Sequence, residues 1–97
     1  MQNISNPRIE FSTRFDKKLR ELSSKIIDAF RETVELFLED PQHESLRRHS
    51  LKEEYTGYES IDVTSDYRAV FKEMKTERKV VIKFYIIGTH EELYGKK

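Results

Sequence analysis

Val80-Val81-Ile82-Lys83-Phe84-Tyr85-Ile86-Ile87 is a nearly continuous apolar run with a single lysine in it. Such a run suits a central strand covered on both faces. The residues before it change the pattern but keep the element type. Tyr67, Ala69 and Phe71 alternate with Arg68, Val70 and Lys72. Upstream of these, Tyr58, Ser60, Asp62 and Thr64 alternate with Glu59, Ile61, Val63 and Ser65. A period of two is the mark of a strand with two unlike faces. Thr64-Ser65-Asp66 and Lys75-Thr76-Glu77-Arg78 read as the turns between these strands.

Further back the period lengthens. Ile26, Ile27, Phe30, Val34, Phe37 and Leu38 fall on one face of a helix, with charged residues opposite. Ser23-Ser24 can cap its start. Asp40-Pro41 ends it, because the residue before proline is driven out of the helical region. Phe15, Leu19 and Leu22 form the stripe of a shorter helix that Ser12 or Thr13 can cap, and Arg8-Ile9-Glu10-Phe11 alternates like a short strand. Residues 41–52 are polar and irregular, with Leu46 and Leu51 as anchors. The predicted order is strand, two helices as a hairpin, three strands and a short tail. This is an α+β two-layer domain, with the helices packed on an antiparallel or mixed sheet.

The chain of 97 residues is one domain, 1–97, without repeats or linkers. It contains no cysteine, which excludes disulfides, thiolate zinc sites and a cysteine nucleophile. Neither a membrane-length apolar run nor a secretory leader is present, so a cytoplasmic protein is expected. Lysine plus arginine equals aspartate plus glutamate at 18 each, and residues 1–50 carry nine of each. A protein coating nucleic acid by bulk charge is thereby excluded, and any nucleic-acid contact must be local. No phosphate loop, dinucleotide fingerprint or His-Glu-x-x-His motif occurs, and His43, His49 and His90 lack ligand spacing, so neither metal nor cofactor is expected.

Polar residues at strand ends and in loops remain: His49 before the sheet, Asp66 in a turn, Arg68 two positions on, His90 after Gly88-Thr89, and Tyr94 four residues later. A histidine with an ordinary pKa of about 6.5 both accepts and donates a proton near neutrality. Arginine offers a permanent charge in a planar fork matched to phosphate. Together they suit a metal-independent attack on a phosphodiester. Each also has a plain structural reading. His49 could be a solvated loop residue, Asp66 a turn cap, Arg68 a surface ion-pair partner, His90 a helix-entry residue behind Thr89, and Tyr94 a lid on the core.

Three segments carry a likeness. They are Leu46-Arg47-Arg48-His49-Ser50-Leu51 with Tyr55-Thr56-Gly57-Tyr58-Glu59-Ser60-Ile61-Asp62-Val63, then Ser65-Asp66-Tyr67-Arg68-Ala69-Val70-Phe71, and then Gly88-Thr89-His90-Glu91-Glu92-Leu93-Tyr94-Gly95 after the apolar strand. The chain resembles the RelE/ParE superfamily of toxin–antitoxin toxins, and within it the YafQ-like mRNA interferases. The element order fits over essentially the whole chain, and the C-terminal motif is the specific part.

The resemblance implies a RelE-like two-layer fold and a toxin that cuts mRNA at the ribosome without a metal. The ribose 2′-hydroxyl would attack the adjacent phosphate. A cognate antitoxin would silence the toxin. By position it assigns His49 and Asp66 as base candidates, Arg68 to the scissile phosphate, His90 to the leaving oxygen and Tyr94 to the site. Tyr67 becomes a base-stacking candidate, and Arg47, Arg48 and Asp62 candidate RNA contacts. Two positions depart from the YafQ-like pattern. Asp62 stands where a second histidine is expected and Ile86 where an arginine is expected, which weakens charge stabilisation. The ParE side of the superfamily gives another expectation, a DNA gyrase inhibitor that cleaves no RNA. A third is an inactive member serving as an antitoxin-binding partner.

Overall fold

A computed structural model of the chain describes residues 7–95. In chain order these form β1 (Arg8–Phe11), α1 (Thr13–Arg20), α2 (Ser24–Glu39), β2 (His49–Ser50), β3 (Glu59–Asp62), β4 (Tyr67–Lys75), β5 (Val80–Thr89) and α3 (His90–Tyr94). Single 3-10 turns at Glu44–Leu46 and Glu53–Tyr55 flank β2. One sheet runs in the order β1-β5-β4-β3-β2, with β1 parallel to β5 and every other pair antiparallel. No described helix is long and apolar enough to cross a membrane.

The helix ends follow from local chemistry. The Ser12 hydroxyl accepts the Phe15 N–H at 2.9 Å, so Ser12 is the cap and Thr13 the first helical residue. Ser23 does the same for Ile26. Asp40 leaves the helical region just before Pro41, as expected. Phe15 from α1 and Phe30 and Phe37 from α2 meet Ile61, Ala69, Phe71, Ile82, Phe84 and Ile87 of the sheet in one buried cluster. Burying each phenylalanine or isoleucine side chain among them contributes about 1.5–3 kcal/mol. Phe30 meets Phe84 edge-on at 5.2 Å, a geometry that adds to the burial.

Two expectations change. Residues 41–52 are not wholly irregular, since His49 and Ser50 pair with Ser60 and Glu59 as a short edge strand. Nor is the Val80–Ile87 run covered on both faces. Helices α1 and α2 cover one face only, while Lys83 on the other is exposed. The run is continuously apolar for a different reason. Val70 opposes Ile86 and Phe71 opposes Phe84, which leaves Tyr85 as an extra residue. This β-bulge turns the alternation over, so Phe84 and Ile87 both reach the helix side although three residues apart.

The bulge lies where β1 stops pairing. β1 matches only Val81–Phe84. The chain then turns into α1, whose cap takes over the edge: the Ser12 N–H donates to the Phe84 carbonyl at 2.9 Å and the Ser12 hydroxyl to the Tyr85 carbonyl at 2.7 Å.

Candidate active site

With α1 and α2 on one face, the residues of opposite parity lie on the other. Asp62 opposes Arg68, Arg68 opposes Gly88, and His49 opposes Ser60, so these four strands bring the groups into neighbouring positions on one surface. Helix α3 closes that surface. Its start is fixed by a capping box: the Thr89 hydroxyl accepts the Glu92 N–H, and the Glu92 carboxylate accepts the Thr89 N–H at 2.9 Å. The hydrogen bond from the Thr89 backbone, with Lys18 at 3.3 Å assisting, holds the Glu92 carboxyl below the usual carboxylate range. A Cβ at position 88 would meet Glu92 Oε1 at 2.9 Å and Leu93 at 3.3 Å, so any larger residue there pushes the Glu92 carboxylate out of its cap.

These contacts make His90 the first residue of α3 and set Tyr94 one turn on, their rings 4.7 Å apart. The His90 N–H donates to the Asp66 carbonyl at 3.1 Å, which ties the β3–β4 turn to the helix. The Tyr94 hydroxyl donates to the Ser60 hydroxyl at 3.2 Å, and Tyr55 lies edge-on to the Tyr94 ring.

Arg68 is firmly held. Its Nε lies 3.1 Å from Asp62 Oδ1, and its Nη1 donates to the carbonyls of Thr64, Ser65 and Tyr67 at 3.2 Å each. Arg47 reaches the other Asp62 oxygen at 3.4 Å. His49 Nδ1 is 2.8 Å from the Arg47 carbonyl. A carbonyl only accepts, so Nδ1 carries the hydrogen and the neutral ring keeps its lone pair on Nε2. Arg47, His49, Asp62, Arg68, His90 and Tyr94 line one cavity of about 200 Å³.

Among the nine site candidates, three lie elsewhere. Arg48 points to the helix side, where Glu59 holds it at 2.6 and 3.1 Å and Glu73 at 2.7 Å, and its guanidinium lies 5.3 Å from both the Phe37 and Phe71 ring centres. These contacts hold it on the helix side, away from the cavity. Tyr67 packs against the core, on the face away from the cavity, so it is not placed to stack on a base in it. Asp66 is exposed in its turn, its N–H bonded to Thr64, and does not line the cavity. Ile86 lines a separate cavity with Arg14, Lys17 and Lys18. Residues that sequence reasoning missed include Ser60, which anchors Tyr94, and Glu92. Only the second had a legible signal, the Thr-x-x-Glu spacing of a capping box. Among the described residues, no group of three or more histidine or carboxylate side chains is placed to hold a metal ion.

Solved structures share this fold. YafQ from E. coli strain BL21(DE3) superposes with a TM-score of 0.73 at 22% identity, over 92% of this chain and 99% of that one. The E. coli DinJ-YafQ toxin–antitoxin complex gives 0.72 at 20% identity, over 94% and 100%. A YoeB/ParE toxin from Agrobacterium tumefaciens gives 0.71 at 12% identity, over 86% and 98%. Among curated proteins no sequence relative matches the chain. The family model of the YafQ bacterial toxin of type II toxin–antitoxin systems matches residues 7–95, all that the structure describes. With a capped histidine helix closing one end of a RelE-like sheet, this chain belongs to the YafQ toxin family.

Proposed function

We propose that the chain is a metal-independent endoribonuclease toxin that cleaves mRNA at the ribosome and is silenced by a cognate antitoxin. The observation that carries this reading is the meeting of two histidines, two arginines and a tyrosine in one cavity. His49, with Nε2 free to accept, takes the 2′-hydroxyl proton. Its position in the cavity favours it over Asp66 as the base. Arg68 and Arg47 hold the non-bridging phosphate oxygens. His90 protonates the leaving 5′-oxygen, and Tyr94 packs on the neighbouring base. Proton transfer of this kind contributes about 100- to 10,000-fold to the rate. The products are a 2′,3′-cyclic phosphate and a 5′-hydroxyl. The complex structure of the E. coli YafQ relative supports an antitoxin partner.

The test is expression in a growing culture with mapping of transcript 5′ ends. The expected result is growth arrest with new 5′ ends inside coding regions, lost in His90→Ala and His49→Ala. DNA damage with intact transcripts would point to a gyrase inhibitor instead. Arrest by both variants as strong as by the unmodified chain would overturn the assignment. One observation favours a second reading, a catalytically weakened antitoxin binder: Arg68 already has a carboxylate and three carbonyls as partners. Intact transcripts and normal growth together with tight antitoxin binding would support it.

A further inference from the structure

The outer face of the sheet continues beyond the cavity. Lys72 shares β4 with Arg68 and lies four residues away on the same face, roughly 13 Å at the strand rise. Around it Glu10, Ser12, Tyr58, Met74, Lys83 and Tyr85 line a second hollow of about 290 Å³. The rings of Tyr58 and Tyr85 lie 5.1 Å apart, with Lys72 Nζ 5.4 Å from the Tyr58 ring centre and the Arg14 guanidinium 6.0 Å from that of Tyr85. Arg14, Lys17 and Lys18 line the adjoining hollow with Ile86 and Glu21.

This face is locally basic on a chain whose net charge is zero. Among the described residues, Arg14, Lys17, Lys72 and Lys83 form no ion pair, whereas Glu10 is paired with Arg8 at 3.2 Å. Tyr55 connects it to the cavity. Its ring meets Tyr94, and its phenol, raised mainly by burial, also feels the charge of Arg14.

We propose that this face is a second, non-catalytic subsite for single-stranded RNA, in which Tyr58 and Tyr85 stack on bases while Lys72, Lys83 and Arg14 hold the backbone of the strand leaving the cavity. The inference rests on the RNA reading of the cavity. Unpaired cations beside half-buried aromatic rings are what a sequence-tolerant single-strand site needs, since every base offers a stacking face. Ser12 and the Tyr85 bulge place the pair at the end of β1, where α1 takes over the edge of the sheet.

The experiment is fluorescence anisotropy with a labelled single-stranded RNA carrying 2′-O-methyl riboses, which removes the attacking hydroxyl and leaves binding alone. The full chain is compared with Lys72→Ala/Lys83→Ala, whose side chains are exposed, and with Tyr58→Leu. The lysine variant is expected to bind at least about tenfold more weakly, with a salt-dependence slope smaller by about 1.4 for two lost backbone contacts. Tyr58→Leu is expected to weaken binding about tenfold. Cleavage of a dinucleotide, which fills only the cavity, should be unchanged in the lysine variant. Binding lost in Arg47→Ala but equal to wild type in both subsite variants would overturn the inference and leave the catalytic reading standing. A wild-type chain that binds no RNA sinks both. Polyglutamate bound as tightly as RNA, and weakened equally by the lysine change, would make the face an acidic-protein surface and also overturn the inference.

Discussion

Asp62→Asn tests the electrostatics of the cavity. The Asp62 carboxylate sits between two guanidiniums, where the proposed function seats a phosphate. The two pairs are unequal. Arg68 and Asp62 are only 17% and 18% exposed, whereas Arg47 is 74% exposed, and a pair so open to water is worth little. The Arg68 bond therefore carries the effect. Two charges near 4 Å interact with about 4 kcal/mol before desolvation at an effective dielectric near 20. The net value of a charge-assisted hydrogen bond is about 1.5–3 kcal/mol. Asparagine keeps one accepting oxygen, so the expected loss is about 1–2 kcal/mol. In a domain of this size that lowers Tm by roughly 5–15 °C. RNA binding should move the other way and tighten about tenfold, because the phosphate no longer displaces a carboxylate. Thermal melts and anisotropy on the same protein measure both. A variant with unchanged Tm, or one that binds RNA more weakly than wild type, would refute the reasoning.

Arg48→Met should cost about 3 kcal/mol in denaturant unfolding, because it strands Glu59 and Glu73, while kcat of the folded protein stays at the wild-type value. Gly88→Ala should displace Glu92 or Leu93 and loosen α3, lowering stability by about 1 kcal/mol and cleavage more than tenfold, read by melting and by transcript cleavage. The depressed Glu92 pKa sets a pH dependence. A carboxylate with a lowered folded pKa contributes stability in full above its ordinary value of 4.5, and that stability is lost as pH falls through the folded value. The Tm gap between wild type and Glu92→Gln should thus be largest near neutrality and close in acid. A gap that widens in acid would contradict the capping geometry.

The helical hairpin was legible because its signals are local. Ser12, Ser23 and Asp40-Pro41 set their helix ends through neighbours three or four residues away, and the stripe from Ile26 to Leu38 needs only the helical repeat. His90 had a local signal too, Thr89 directly before it as a cap, although the Glu92 half of the capping box was not read.

Adjacent residues of like chemistry were a different matter. Arg47 and Arg48 are indistinguishable in the sequence, yet one reaches Asp62 in the cavity and the other is bound between α2 and the sheet by Glu59 and Glu73. Arg47 adopts a left-handed backbone conformation with φ of 49°, and β2 then pairs with β3 in a register that sends His49 to the Ser60 side. The Tyr85 bulge likewise exists because β1 ends opposite Phe84 and Ser12 takes the next carbonyl, a contact 73 residues apart in the chain. Composition and periodicity by themselves determined the helical hairpin and the strands β1, β3, β4 and β5, since those preferences act within a turn or a pleat, whereas the two-residue β2 exists only through its pairing with β3. Tertiary structure decided which side each polar group faces, because strand parity is fixed only when distant strands choose their register, and a shift of one residue exchanges the two faces.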